Sequence, residues 1–179
     1  MKDNEVIQII NYLKKPNLSE DEIVEALQGF GSTGDKTAIP YLINELNNFE
    51  SLSWKKRNAI AISLGELGAD EAVPMIMDVI KNEKYKNYNG SFLYAMKLKP
   101  LNCKDYFLDF IELLCTGDME IRESAVDLIE MFYKEIDTKT KIEARQILSK
   151  HKILIELSKK PREQYDTLGY IEHIQDLLN

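Results

Sequence analysis

Residues 29–42 read GFGSTGDKTAIPYL, and residues 63–76 read SLGELGADEAVPMI. The two stretches align at an offset of 34 residues, with Gly31 on Gly65, Gly34 on Gly68 and Pro40 on Pro74. A fixed period of this length is the mark of one supersecondary unit used several times. Outward from the glycines, Ile39, Val73 and Phe107 keep the 34-residue spacing, as do Leu42, Ile76 and Phe110, then Ile43, Met77 and Ile111, then Leu46, Ile80 and Leu114. Within each copy these positions run i, i+3, i+4, i+7, one face of an α-helix. The helix before the corner repeats as well, with Leu27, Ala61 and Ala95 in one column and Phe30, Leu64 and Leu98 in another.

Each unit therefore reads as a helical hairpin, and the quoted phrase as its corner. Gly31 and Gly34, or Gly65 and Gly68, let the chain leave the first helix with positive φ available. Asp35 or Asp70 caps the next start. Pro40 and Pro74 fall in a first turn, where no intrahelical donor is lost. The phrase is not a phosphate loop, because its glycines end a helix instead of following a strand and no Lys-Ser/Thr pair comes after them.

The third corner departs from the pattern. KLKPLNCKDYFL (97–108) places Pro100 in the turn and Asn102 as the expected cap. A fourth first helix opens at Asp118, and Ala125, Ile129 and Phe132 carry the apolar columns on. Its partner, about 139–158, loses the register and reads as the start of a terminal cap. At the other end, Asp3 to Leu13 is amphipathic and stops before Pro16, and Ser19-Glu20-Asp21-Glu22 is a capping box. A last helix over 162–178 turns Ile171, Ile174, Leu177 and Leu178 inward. The reading is a single all-α domain over 1–179, a right-handed α-solenoid of about four hairpins (19–50, 53–84, 89–116, 118–158) with terminal capping helices over 1–18 and 162–179.

The bulk numbers exclude several classes. With 179 residues, 44% hydrophobic and 30% charged, the chain is ordinary for one globular domain or a short repeat array. No run of about 18 apolar residues is present, so no membrane span is expected. The N-terminus lacks a cationic start and apolar block, so no secretion signal is expected. Cys103 and Cys115 fall 12 apart on one predicted helix, a separation of about 18 Å that forbids their bonding. A reducing cytoplasm fits two free thiols. The net charge of −7 disfavours nucleic acid and anionic membranes and favours a basic protein partner.

That charge is uneven. Ten acids against two bases occupy 105–137, and eight bases against two acids occupy 138–162. The first block is either a set of solvated helix faces or an acidic docking surface. No catalytic constellation stands out. His151 and His173 sit 22 apart on different helices, with no zinc-ligand spacing to either cysteine. Each histidine reads as a surface or packing residue, Cys103 as hairpin-corner packing and Cys115 as core. No catalytic residue, metal site or cofactor is expected.

The segment from Arg57 to Ile80 resembles HEAT-like repeats of the kind first noted in phycobilin lyases: an Arg, small residues, Leu-Gly, Gly, Asp, then Ala-Val-Pro and an apolar helix. The likeness spans roughly 19–135. A narrower resemblance concerns NGSFLYAMKLKPLNCKDYFLDFIELL (89–114), which looks like a stretch of bacterial HEAT-repeat immunity proteins of polymorphic toxin systems. Asn89, Gly90, Tyr94, Ala95 and Cys103 match that stretch, while Ser91 stands for its Thr and Asn102 for its Asp. The Lys, Asn and Ile content fits an AT-rich bacterial source.

In solenoids of this class the second helices line the concave side. The outward columns there are Tyr41, Met75 and Asp109; Asn44, Asp78 and Glu112; and Asn48, Asn82 and Thr116. None is basic, which argues against the basic groove of HEAT-like DNA glycosylases. The expected partner-binding set is Tyr41 and Met75 as apolar anchors, Asp78, Asp109 and Glu112 as charged contacts, Asn44 and Asn82 beside them, and Tyr85 and Tyr88 on the KYKNYN loop. Trp54 reads as a staple to the preceding repeat. The resemblance implies a non-enzymatic protein-binding module of the immunity kind. With the acidic charge, the expected function is to neutralise a small basic toxin of nuclease type by steric and electrostatic occlusion, and a monomer is expected when free. The alternatives are a generic scaffold or lyase-type chaperone and, third, a glycosylase. The third requires the basic 138–162 segment to line the groove.

Overall fold

A computed structural model describes residues 3–82, 84, 90–158 and 163–179. Every regular element among them is helical. No described helix is long and apolar enough to cross a membrane. The chain divides into two compact units, residues 1–102 and 103–179.

The first unit holds α1 (Asp3–Leu13), α2 (Glu20–Thr33), α3 (Ile39–Leu46), α4 (Trp54–Leu67), α5 (Val73–Lys81) and α6 (Gly90–Leu98). Packing follows the repeat. α1 lies on α2, α2 on α4 and α4 on α6, while α3 packs on α4 and α5 on α6. The predicted columns fill this core: Leu27, Ala61 and Ala95 are buried, as are Phe30, Leu64, Ile39, Val73, Leu42 and Ile76. Ile43 and Leu98 are only half-buried, at the margins of the stripe. Polar links between hairpins span 32 to 36 residues, two of them the 34-residue period itself. The buried Ser63 hydroxyl donates to the Leu27 carbonyl at 2.8 Å, Lys55 pairs with Asp21 at 2.9 Å, Lys84 with Glu50 at 3.0 Å, and the Asn102 amide donates to the Asp70 carboxylate at 2.7 Å.

The corners depart from expectation in two ways. Only the second glycine of each pair takes the left-handed conformation, Gly34 at φ 64° and Gly68 at φ 67°. Gly31 and Gly65 remain helical and serve close packing: a Cβ on Gly65 would run into the Ala95 carbonyl of α6, and one on Gly31 into the Glu66 side chain of α4. The aspartates also diverge. Asp35 caps a short 3₁₀ turn by accepting from the Thr37 amide at 3.0 Å. Asp70 lies inside the equivalent turn and reaches the next hairpin's backbone instead. Pro40 and Pro74 occupy the first turns of α3 and α5 as expected. The Ser19 capping box is complete, with Glu22 bonded to the Ser19 amide at 2.8 Å. Those bonds hold the Glu22 carboxyl below its usual range.

The second unit holds α7 (Phe107–Thr116), α8 (Met119–Phe132), α9 (Thr138–Leu157) and α10 (Glu163–Leu178). α7 packs on α8, α9 on α7, and α10 against all three. Phe107, Phe110, Ile111 and Leu114 of α7 are buried with Ala125, Leu128 and Ile129 of α8, Ala144 and Leu148 of α9, and Ile171, Ile174 and Leu178 of α10. Leu177 is only half-buried. Asp118 caps α8 through the Ile121 amide at 3.0 Å, and Asp137 caps α9 through the Thr140 amide at 2.8 Å. Cys103 is buried ahead of α7, capping a 3₁₀ turn, so the two cysteines do not share one helix. Asn102 does not cap that turn; its amide is the donor to Asp70.

One device recurs across both units. Arg57 and Arg122 each stand four residues after an N-cap, Ser53 and Asp118. Arg57 Nε donates to the Phe49 carbonyl at 2.9 Å with its guanidinium 4.0 Å from the Phe49 ring centre. Arg122 Nε donates to the Gly117 carbonyl at 2.8 Å. Each arginine ties the start of its helix to the loop that leads into it.

Candidate functional site

The expected binding columns divide between the units. On α3, Asn44 is exposed, but Tyr41 is half-buried with its ring centre 5.3 Å from that of Phe30. Burial, reinforced by Glu45, pushes the Tyr41 phenol upward. Tyr41 is thus partly a core residue. On α5, Met75 is half-buried and Asp78 is exposed. Asn82 closes the helix, its Oδ1 accepting from the Lys84 amide at 3.0 Å. Tyr85 and Tyr88 lie outside the described residues. Trp54, expected as a staple, is 56% exposed at the start of α4.

In the second unit Asp109 is half-buried, and Glu112 accepts a hydrogen bond from His151 of α9 at 3.0 Å. The basic helix α9 therefore lies beside Glu112, a member of the columns in which no basic residue was expected. Its cations also engage the C-terminal segment: Lys152 pairs with Glu172 of α10 at 2.7 Å, and Arg145 donates to Asn179, just past the end of α10, at 3.3 Å. Cys115 stands three residues after Glu112 in α7. Burial, with the Glu112 charge behind it, pushes its thiol up to about 12. Both cysteines are free thiols. Among the described residues no group of three His, Cys, Asp or Glu is placed to hold a metal.

A different surface emerges on α8. Glu120, Glu123, Asp127 and Glu130 fall at i, i+3, i+7 and i+10, one stripe of a helix, and all four are exposed. The opposite face of α8 is the buried one, carrying Ile121, Ser124, Ala125, Leu128 and Ile129. The sequence holds this ridge in plain view within the 105–137 acidic block. The pattern was missed because the second helices, and not α8, were expected to face a partner.

The ridge borders a cleft of about 600 Å³ between α8 and α10. From α8 come Met119, Val126, Asp127 and Glu130, and from α10 Asp166, Gly169, Tyr170 and His173. The α10 residues run i, i+3, i+4, i+7, a face adjacent to the buried stripe of Thr167, Ile171, Ile174 and Leu178. His173 Nε2 bonds Glu130 Oε1 at 2.5 Å, joining the two walls. A carboxylate has about four acceptor sites, and this bond occupies one.

Residues 56–82, which run from the third residue of α4 through the corner and α5, match the family model described as the PBS lyase HEAT-like repeat. No curated protein matches the chain. The match covers the second hairpin, where the corner phrase is most complete, and supports HEAT-like repeat architecture.

Proposed function

We propose that the chain is a non-catalytic protein-interaction module for a basic partner and, in its most specific form, an immunity protein that covers a small basic toxin of nuclease type. The observation that carries this reading is the ridge of four exposed carboxylates on α8, running from Glu120 to Glu130. Such a ridge steers a cationic partner into encounter and makes association fast and salt-sensitive. Occlusion follows from size: an interface of about 1,600 Å² covers the active face of a small enzyme.

The test is a pull-down from the source cell's lysate at low and at high salt, with bound protein and nucleic acid both identified. One small basic protein, retained stoichiometrically and released by salt, supports the reading; co-purifying nucleic acid overturns it. A scaffold or lyase-type chaperone is the second reading, favoured by the description of the repeat matched at 56–82. It predicts several partners of moderate affinity and no protection against a toxin.

A further inference from the structure

Gly169 sits in mid-helix with no internal reason to be glycine. Its φ is ordinary, and a Cβ built on it meets nothing within 4 Å. Of the glycines with known surroundings, Gly29 also has room for a Cβ, in ordinary contact with the Ile9 side chain of α1 at 3.5 Å; the rest differ. Gly34 and Gly68 need positive φ, a Cβ on Gly65 meets backbone, and one on Gly117 meets Ile121 and the Leu113 carbonyl. A glycine inside a helix weakens it relative to alanine, and a common reason to keep one is close approach of another molecule to the backbone. Gly169 lines the cleft between α8 and α10, and its missing side chain deepens that cleft.

What surrounds Gly169 defines the visitor. Three of the eight lining residues are carboxylates (Asp127, Glu130, Asp166), and none is Lys or Arg. Three carboxylates around one cleft suit a cation whose charge is spread over several N–H donors. Tyr170 offers an aromatic ring, and Met119 and Val126 an apolar wall. A guanidinium fits that set: it is planar, stacks on aromatic rings, bonds carboxylates through two parallel N–H groups, and carries an aliphatic stem. The His173 bond fixes the Glu130 carboxylate before any ligand arrives, which lowers the ordering cost of binding.

We infer that the α8–α10 cleft receives an arginine side chain of a basic protein partner, with Gly169 as its floor and Asp127, Glu130 and Asp166 as its charged rim. This rests on the proposed partner reading and locates it.

The probe is a labelled peptide of arginine, glycine and serine, titrated into the full chain by NMR and by fluorescence anisotropy, beside a lysine peptide of equal length. The expected result is that resonance changes centre on 119–130 and 166–173. Gly169→Leu, which fills the cleft without altering charge, weakens the arginine peptide about 10-fold or more, the scale of a lost anchor contact. Glu130→Gln weakens it about as much, whereas Glu120→Gln, on the ridge but outside the cleft, changes it less than about 3-fold. Changes that centre elsewhere, with Gly169→Leu silent, overturn the cleft and leave the basic-partner reading intact. An equally tight lysine peptide, or a free polyamine that binds more tightly than either peptide, overturns the arginine assignment. Absence of any binding also sinks the cleft, and the partner reading then stands or falls on the pull-down alone.

Discussion

Gly65 and Gly169 are both helical glycines, one in each unit, and the same substitution should act on them in opposite directions. Around Gly65 the chain has closed in: α6 approaches so tightly that its Ala95 carbonyl occupies the place of a Cβ. Around Gly169 there is open space. The first unit uses its small residues to stack hairpins, and two of its ion pairs recur at the 34-residue period of the repeat. The second unit has a core of its own but leaves one helix face notched and lined with carboxylates. The regular part of such a molecule is the more readable, and the irregular part is the better place to look for a partner.

The sharpest way to break this comparison is Gly65→Ala. Backbone cannot yield as a side-chain tip does, so the change should cost about 3 kcal/mol, the upper range for overpacking, read from urea unfolding. Gly31→Ala, at the equivalent place one repeat earlier, meets the flexible Glu66 side chain instead. Its cost should be smaller, about 1 kcal/mol, the centre of the ordinary range for single substitutions. Equal costs at the two glycines would mean that the packing is not as asymmetric as the contacts indicate.

That asymmetry marks the limit of what the repeat makes legible. The columns at 34-residue spacing identify the buried stripes of α2 to α5 and the positions of Pro40 and Pro74, because burial and turn chemistry are local consequences of pattern. They cannot separate Gly31 from Gly34, since both stand at the helix end and only the built chain shows which one turns left-handed. Tyr41 looked like an outward anchor by period alone, yet its size lets it reach back over Phe30. Glu112 likewise sat in an outward column, but the column ended at the third hairpin, where α9 brings His151 to it. The α8–α10 cleft lay beyond the period altogether, because α10 belongs to no repeat.

Helix starts sharpen the contrast at about 1 kcal/mol. α2 and α4 open on Ser19 and Ser53, whereas α8 and α9 open on Asp118 and Asp137. Removal of a cap, as in Ser53→Ala or Asp118→Ala, should cost about 1 kcal/mol in either unit, measured by urea unfolding at neutral pH. Gly169→Ala should do the reverse and raise stability by about 0.5–1 kcal/mol, the ordinary helix preference for alanine where space and φ permit. A loss at Gly169 would show that its backbone is under a constraint the open space does not reveal.

The smallest effect separates the two kinds of cap by acid. Bonds from the Thr140 amide and hydroxyl, helped by Lys139, hold the Asp137 carboxyl below its usual range. A carboxyl depressed in the folded state stabilises it fully above the unfolded value, about 3.9 for aspartate, and loses that contribution as pH falls through the folded value. The first turn of α9 should therefore lose helical character as solutions are taken below about pH 4, by the same linkage. The Ser53 hydroxyl that caps α4 does not titrate in that range, so the first turn of α4 should keep its helical character. Carbon secondary shifts of Thr138–Lys141 and of Trp54–Arg57, followed across the same titration, read the two ends side by side. Loosening of both ends together would assign the acid response to the whole chain and not to the Asp137 cap. Loosening of α9 alone ties it to the carboxylate that distinguishes the second unit's helix starts from those of the first.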